Sequence, residues 1–99
     1  MALGNLEQAR ELFDECATLS LEIGDQVQHT QYLMNVAQTL KEQGDLAAAM
    51  AVGQRALEIA VKTQDSPRIA FFQSVLGDID RARGDLAAAK VCYQSALAI

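Results

Sequence analysis

Apolar residues recur every three or four positions along nearly the whole chain, and no stretch alternates with the period of two that a half-buried strand requires, so the pattern predicts helices throughout. Over residues 5–23, Leu6, Ala9, Leu12, Phe13, Cys16, Leu19 and Ile23 share one side of a helix, and Glu7, Glu11, Asp14, Glu15 and Glu22 share the other. Asn5 stands as its expected N-cap, with Gln8 three residues on as in a capping box. A second helix is predicted over residues 26–43, with Tyr32, Leu33, Val36, Ala37 and Leu40 inward and Gln31, Met34, Gln38 and Lys41 on a neighbouring face. The third, residues 46–63, is apolar nearly all round in its first half, which predicts a helix sandwiched between neighbours and the most buried of the set. Residues 67–83 carry Phe72, Val75, Leu76, Gly77 and Ile79, and residues 86–99 carry Tyr93, Ala96 and Leu97, giving five helices.

The helices repeat. Gly44-Asp45-Leu46-Ala47-Ala48-Ala49 returns at Gly84 to Ala89, and a degenerate copy, Gly4-Asn5-Leu6 with Ala9, stands one period earlier, so the period is 40 residues. Fixed periods of about 20 to 50 residues mark stacked supersecondary units. Each copy reads as a helix-turn-helix corner: glycine closes one helix in the left-handed region, the acid or amide caps the next, and alanine lets the two axes approach. Gln64-Asp65-Ser66-Pro67 predicts a second kind of corner, aligned with Gly24-Asp25-Gln26-Val27, in which Ser66 caps and Pro67 takes the first helical position. The whole chain, 1–99, is thereby expected to be a single domain: a half repeat at 1–24, a repeat at 25–64 and a truncated repeat at 65–99. It opens with the second helix of a repeat, and Ile99 aligns with Ile59, ahead of the equivalent of Thr63, so a section of a longer array is expected.

Composition narrows the class. With 51% hydrophobic residues, one proline and a net charge of −5, the chain reads as a folded cytoplasmic domain, and its eight bases form no run of the kind that binds nucleic acid. The longest apolar run, Leu46 to Val52, is far short of the roughly 20 residues of a membrane span, so no membrane is expected. The acid is local. Residues 1–24 hold five acids against Arg10 alone, while residues 25–99 hold eight acids and seven bases. The acidic face of the first helix reads first as solvated surface, with a docking strip for a basic partner as the alternative.

Leu76-Gly77, Gly84-Asp85-Leu86, Ala89, Tyr93 and Ala96-Leu97, in this order and spacing, resemble the tetratricopeptide repeat (TPR) family. The middle copy keeps Gly44, Leu46, Ala49 and Ala56-Leu57, with Ala37 for the packing glycine and Gly53 for the aromatic; the first keeps Gly4, Leu6, Ala9 and Phe13, then departs at Cys16-Ala17. The commonest repeat of that family has about 34 residues, so a period of 40 resembles its lengthened variety. HEAT or armadillo repeats, of about 40 to 47 residues, lack the glycine-acid-leucine corner.

The resemblance implies an all-α fold of antiparallel helix-turn-helix repeats stacked as a short right-handed α-solenoid, here about two and a half repeats in five helices. It implies a protein–protein interaction scaffold whose first helices line a concave groove for a peptide or partner helix. The groove residues by register are Gln31, Met34, Asn35, Gln38 and Lys41 from one repeat and Phe71, Ser74, Asp78 and Arg81 from the next. Met34 and Ser74 stand where a carboxylate clamp of the kind some relatives use would want a base, so another ligand mode is expected. The alternative function is assembly: apolar ends at Phe71, Phe72, Val91 and Tyr93 would stack or exchange helices, and the isolated chain would self-associate.

No enzyme, cofactor or metal is expected. His29, among Gln28, Thr30 and Gln31, reads as a surface imidazole. Cys16 and Cys92 are too few for a zinc site and read as buried, reduced and alanine-like. Asp78 and Asp80, two apart, fall on different faces and make a poor acid pair.

Overall fold

Four copies of one corner join five helices. The computed structural model describes residues 3–98, with α1 at Leu3–Glu22, α2 at Gln26–Glu42, α3 at Leu46–Lys62, α4 at Ser66–Ala82 and α5 at Leu86–Leu97, and no strand among the described residues. At every corner one residue takes positive φ: Gly24 at 80°, Gly44 at 87°, Gln64 at 57° and Gly84 at 85°. The following aspartate then works twice. Its N–H reaches back to the carbonyl five residues before it, from Asp25 to Ser20 at 2.9 Å, Asp45 to Leu40 at 2.9 Å, Asp65 to Ala60 at 3.1 Å and Asp85 to Asp80 at 2.9 Å, which satisfies a helix-end acceptor. Its carboxylate accepts from the N–H groups of Gln28, Ala48, Arg68 and Ala88 at 3.1 to 3.3 Å, capping the next helix.

The corner therefore recurs every 20 residues, and the 40-residue repeat is two such steps. The second kind of corner expected at residues 64–67 is the same corner with Gln64 in the glycine's place. Asp65, not Ser66, is the cap there, and Ser66 begins the helix with Pro67 in its first turn. Asn5 is not a cap either, because α1 already begins at Leu3. The expected alignment of Ile99 lies outside the described residues.

The helices stack as an all-α solenoid in two layers, α2 and α4 in one and α1, α3 and α5 in the other, within a slab of 34 × 33 × 17 Å. Among the described residues α2 touches α4, whereas α1 does not touch α3 and α3 does not touch α5. This places α2 and α4 on the inner side of the curve.

The core runs through Leu33, Met34, Val36, Ala37, Leu40, Phe72, Val75, Leu76 and Ile79 of the inner helices, closed by Ala17, Ala49, Ala56 and Ala60 of the outer ones. The most buried helix is α2, not α3, since α2 meets α1, α3 and α4 while α3 meets only α2 and α4. Four residues of α3 are buried, Ala49, Gly53, Ala56 and Ala60, all of them small. Their smallness brings the axes together: a Cβ on Gly53 would stand 2.7 Å from Leu76 Cδ2 and 3.7 Å from Ala37 Cβ.

Two further expectations change. His29 is buried, and its Nδ1 donates to the Ala17 carbonyl at 2.7 Å, so the imidazole fastens α2 to α1 instead of facing water. The apolar side of α1 is divided: Leu6 and Ala17 are buried against α2, but Leu12, Leu19 and Ile23 are exposed, because α2 covers only one edge of that side.

Candidate protein-interaction surface

The inner helices carry the sequence-derived groove residues, and their surroundings sort them. Gln31, Asn35, Gln38 and Lys41 of α2 are half-buried, spaced so that their polar ends fall along the helix. Met34 is fully buried and leaves the surface, because α2 is packed against three neighbours and the thioether fills the space between them. On α4, Phe71 and Arg81 are exposed while Ser74 and Asp78 are half-buried.

Several of these groups are already engaged. Ser74 Oγ donates to the Ala70 carbonyl at 3.2 Å, and Phe71 leans on Phe72 with ring centroids 6.0 Å apart. Asp78 accepts a hydrogen bond from the Tyr93 hydroxyl of α5 and lies 3.7 Å from Arg81. That hydrogen bond to the carboxylate holds the Tyr93 phenol above its ordinary range, because the proton it would lose is shared with Asp78. Asp78 is thereby fixed from the outer layer, a link invisible to a reading of α4 alone. The Tyr93 ring can reach it because Gly77 has no side chain: a Cβ there would stand 2.7 to 3.0 Å from three ring atoms.

Lys41 and Arg81 occupy the same register position, one repeat apart, in the last turns of α2 and α4. Cations there complement the negative helix ends, and they give the inner face positive points in a chain of net charge −5.

Asp80, two residues from Asp78, is buried and faces a different neighbour. Its carboxylate lies 3.4 Å from Arg83 and accepts from Cys92 Sγ at 3.5 Å. Burial, and then the Asp80 carboxylate, push the Cys92 thiol up. Cys92 and Cys16 are both free and half-buried, so neither is as enclosed as its alanine-like reading implied. No cluster of three or more His, Cys, Asp or Glu side chains able to hold a metal ion occurs among the described residues, and none of the helices is long and apolar enough to cross a membrane.

The model of the tetratricopeptide repeat family matches residues 1–62 and again residues 31–99. The chain is a tetratricopeptide-repeat protein. No curated protein and no solved structure matches it. The TPR family is a non-catalytic repeat scaffold, and its repeats generally mediate protein–protein interaction. On the inner helices this TPR chain presents half-buried amides, two cations and one exposed aromatic ring.

Proposed function

We propose that this TPR domain is a protein–protein interaction scaffold whose inner face, formed by α2 and α4, binds an extended peptide or a partner helix. The observation that carries this reading is the placement of α2 against α4, with no such contact within the outer layer among the described residues. The inward curve offers Gln31, Asn35, Gln38, Lys41, Phe71, Ser74, Asp78 and Arg81 along one surface. Amides supply both donors and acceptors to a peptide backbone, Phe71 supplies an apolar anchor, and Lys41 and Arg81 favour acidic side chains or a carboxylate.

Selection of peptides from a displayed random library on the folded chain tests it. The selected peptides are expected to weaken by about tenfold on Phe71→Ala or Arg81→Ala, the loss a hot-spot side chain produces. Peptides insensitive to both changes and to Gln38→Ala would place binding elsewhere.

A second reading, assembly through the chain's end, is favoured by α5. Leu86 and Leu97 are 66% and 87% exposed, although Leu46 and Leu57, one repeat earlier, are half-buried. A self-associating end that covers these leucines is the form this reading takes, and closed two-fold pairing is favoured over filaments because it ends growth.

A further inference from the structure

Four arginines among the described residues lie three positions after an acid, and one of these pairs is held open. Arg68 Nη1 reaches Asp65 at 2.9 Å, Arg10 Nη2 reaches Glu7 at 3.1 Å and Arg83 Nη1 reaches Asp80 at 3.4 Å, but Arg81 Nη2 stops 3.7 Å from Asp78. Exposure follows: the Arg10 and Arg68 side chains are 32% and 33% exposed, Arg83 45% and Arg81 66%. The acids explain the series. Asp80, partner of the looser Arg83, also accepts from the weak thiol donor of Cys92 at 3.5 Å. Asp78 meets a stronger competitor, because the same Oδ1 that faces Arg81 accepts from the Tyr93 hydroxyl of α5. The guanidinium is left beyond hydrogen-bond distance. Held above its ordinary range by that carboxylate, the Tyr93 phenol keeps its proton at neutral pH and remains the donor.

One repeat earlier the inner face reaches the same end without a phenol. Gln38 stands at the register of Asp78, Lys41 at that of Arg81 and Gly53 at that of Tyr93, so the first cation follows an amide with no charge to pair with it. Where the acid enters, at Asp78, the phenol enters with it. The other acids of the inner helices do not take its place: Asp80 is buried against Arg83, and Glu42, beside Lys41, gives way to Ala82 on α4. Gln38 is half-buried although α4 lies alongside α2, so a neighbouring inner helix leaves this register open.

We infer that Tyr93, in the outer layer, is a positioning residue of the inner-face groove: by taking the Asp78 carboxylate it leaves the Arg81 guanidinium open, and Arg81 then receives an Asp or Glu side chain of the bound peptide. This rests on the inner face being the binding groove. Without the hydroxyl, Arg81 closes on Asp78 as Arg68 closes on Asp65, and the cation is lost to the ligand. Tyr93→Phe keeps the ring that packs on Gly77, so the effect belongs to the hydroxyl and not to the packing of α5.

Two measurements test it. The first needs no ligand: the folded chain is treated with phenylglyoxal, and the modification rate of each arginine is read by mass spectrometry, with exposed Arg55 as the reference. Tyr93→Phe is expected to slow Arg81 by about threefold, the scale of an exposed ion pair, and adding Asp78→Asn is expected to restore the parent rate. The second uses peptides selected from a random library on the folded chain. Those that weaken on Arg81→Ala are expected to contain Asp or Glu, to weaken by about threefold on Tyr93→Phe, and to tighten on Asp78→Asn, in whose background Tyr93→Phe no longer matters. Replacing the peptide's acid by its amide is expected to remove its sensitivity to Tyr93→Phe. Equal Arg81 rates in the parent and Tyr93→Phe overturn the inference and leave the groove reading standing. A loss on Tyr93→Phe that persists beside Asp78→Asn overturns it too, since the hydroxyl then acts on the fold alone. Peptides that respond to Phe71→Ala but not to Arg81→Ala overturn it while keeping the groove, and peptides that respond to neither remove the groove reading and the inference together.

Discussion

Gln64 holds a backbone conformation that its three counterparts give to glycine. A residue with a Cβ at left-handed φ costs about 1 to 2 kcal/mol, yet Gln64 sits at 57° because the corner hydrogen bonds on both sides of it, Gln64 N to Val61 O and Asp65 N to Ala60 O, require that turn. Gln64→Gly is therefore expected to stabilise the fold by about 1 kcal/mol, less than the full strain because glycine loses more freedom on folding. Gly84→Val is expected to do the reverse, by about 1 to 2 kcal/mol. Nothing lies within 4 Å of a Cβ placed on Gly84, so the loss comes from the backbone and not from a clash. Thermal unfolding measures both. Equal melting temperatures for Gln64→Gly and the parent would mean that the corner at Gln64 is not under strain, and Gln38→Ala, a half-exposed position, serves as the neutral reference.

At the scale of the helix pair, the two repeats solve one packing problem in opposite ways. Between α2 and α3 the contact position is small on both sides, Ala37 against Gly53, and Leu76 of the next helix fills the vacancy. Between α4 and α5 the same positions are Gly77 and Tyr93, so the aromatic ring fills the space from within the repeat. Helix propensity alone favours Gly77→Ala by about 1 kcal/mol. The ring of Tyr93 reverses that sign, because its atoms lie 2.7 to 3.0 Å from the added Cβ and overpacking costs about 1 to 3 kcal/mol. Gly77→Ala is expected to destabilise the parent by about 1 kcal/mol and to stabilise a Tyr93→Ala background. Chemical denaturation of the four variants measures the coupling, and a stabilising Gly77→Ala in the parent would show that the ring moves aside freely.

At the scale of the molecule, stacking is what buries the small outer helices. Stability in such arrays comes from each hairpin and its neighbour interfaces, so an uncovered end is the weakest part. The α5 end exposes Leu86, Val91 and Leu97 with Asp85 and Lys90, one of each sign, beside them in sequence, whereas the α1 end is rimmed by acid. Self-association is therefore expected through α5, with light scattering over a dilution series showing a dimer that dissociates. Leu86→Asp with Leu97→Asp is expected to give a monomer at all concentrations, while Leu19→Asp leaves the dimer intact. A monomer persisting to high concentration in the parent removes this reading of α5.

The sequence by itself determined the helices, their order, the 40-residue period and the four turning points, with only the cap at the third put on Ser66 instead of Asp65, because helix phase, turn residues and polar caps act over a few residues. Which helices are inner and which outer was an implication of the TPR resemblance and not of the register alone. Tertiary structure decided the rest. Met34 and His29 look like surface residues on their own helix, and only the convergence of α1, α3 and α4 on α2 encloses the first and the nearness of Ala17 encloses the second. Leu12, Leu19 and Ile23 look like core, and they are exposed because, among the described residues, α2 covers only the other edge of that apolar side. Gln64 carries no local sign of left-handed geometry; the hydrogen bonds that close the corner impose it. The tie between Asp78 and Tyr93 spans fifteen residues and two layers, a distance over which periodicity says nothing about which side chains meet.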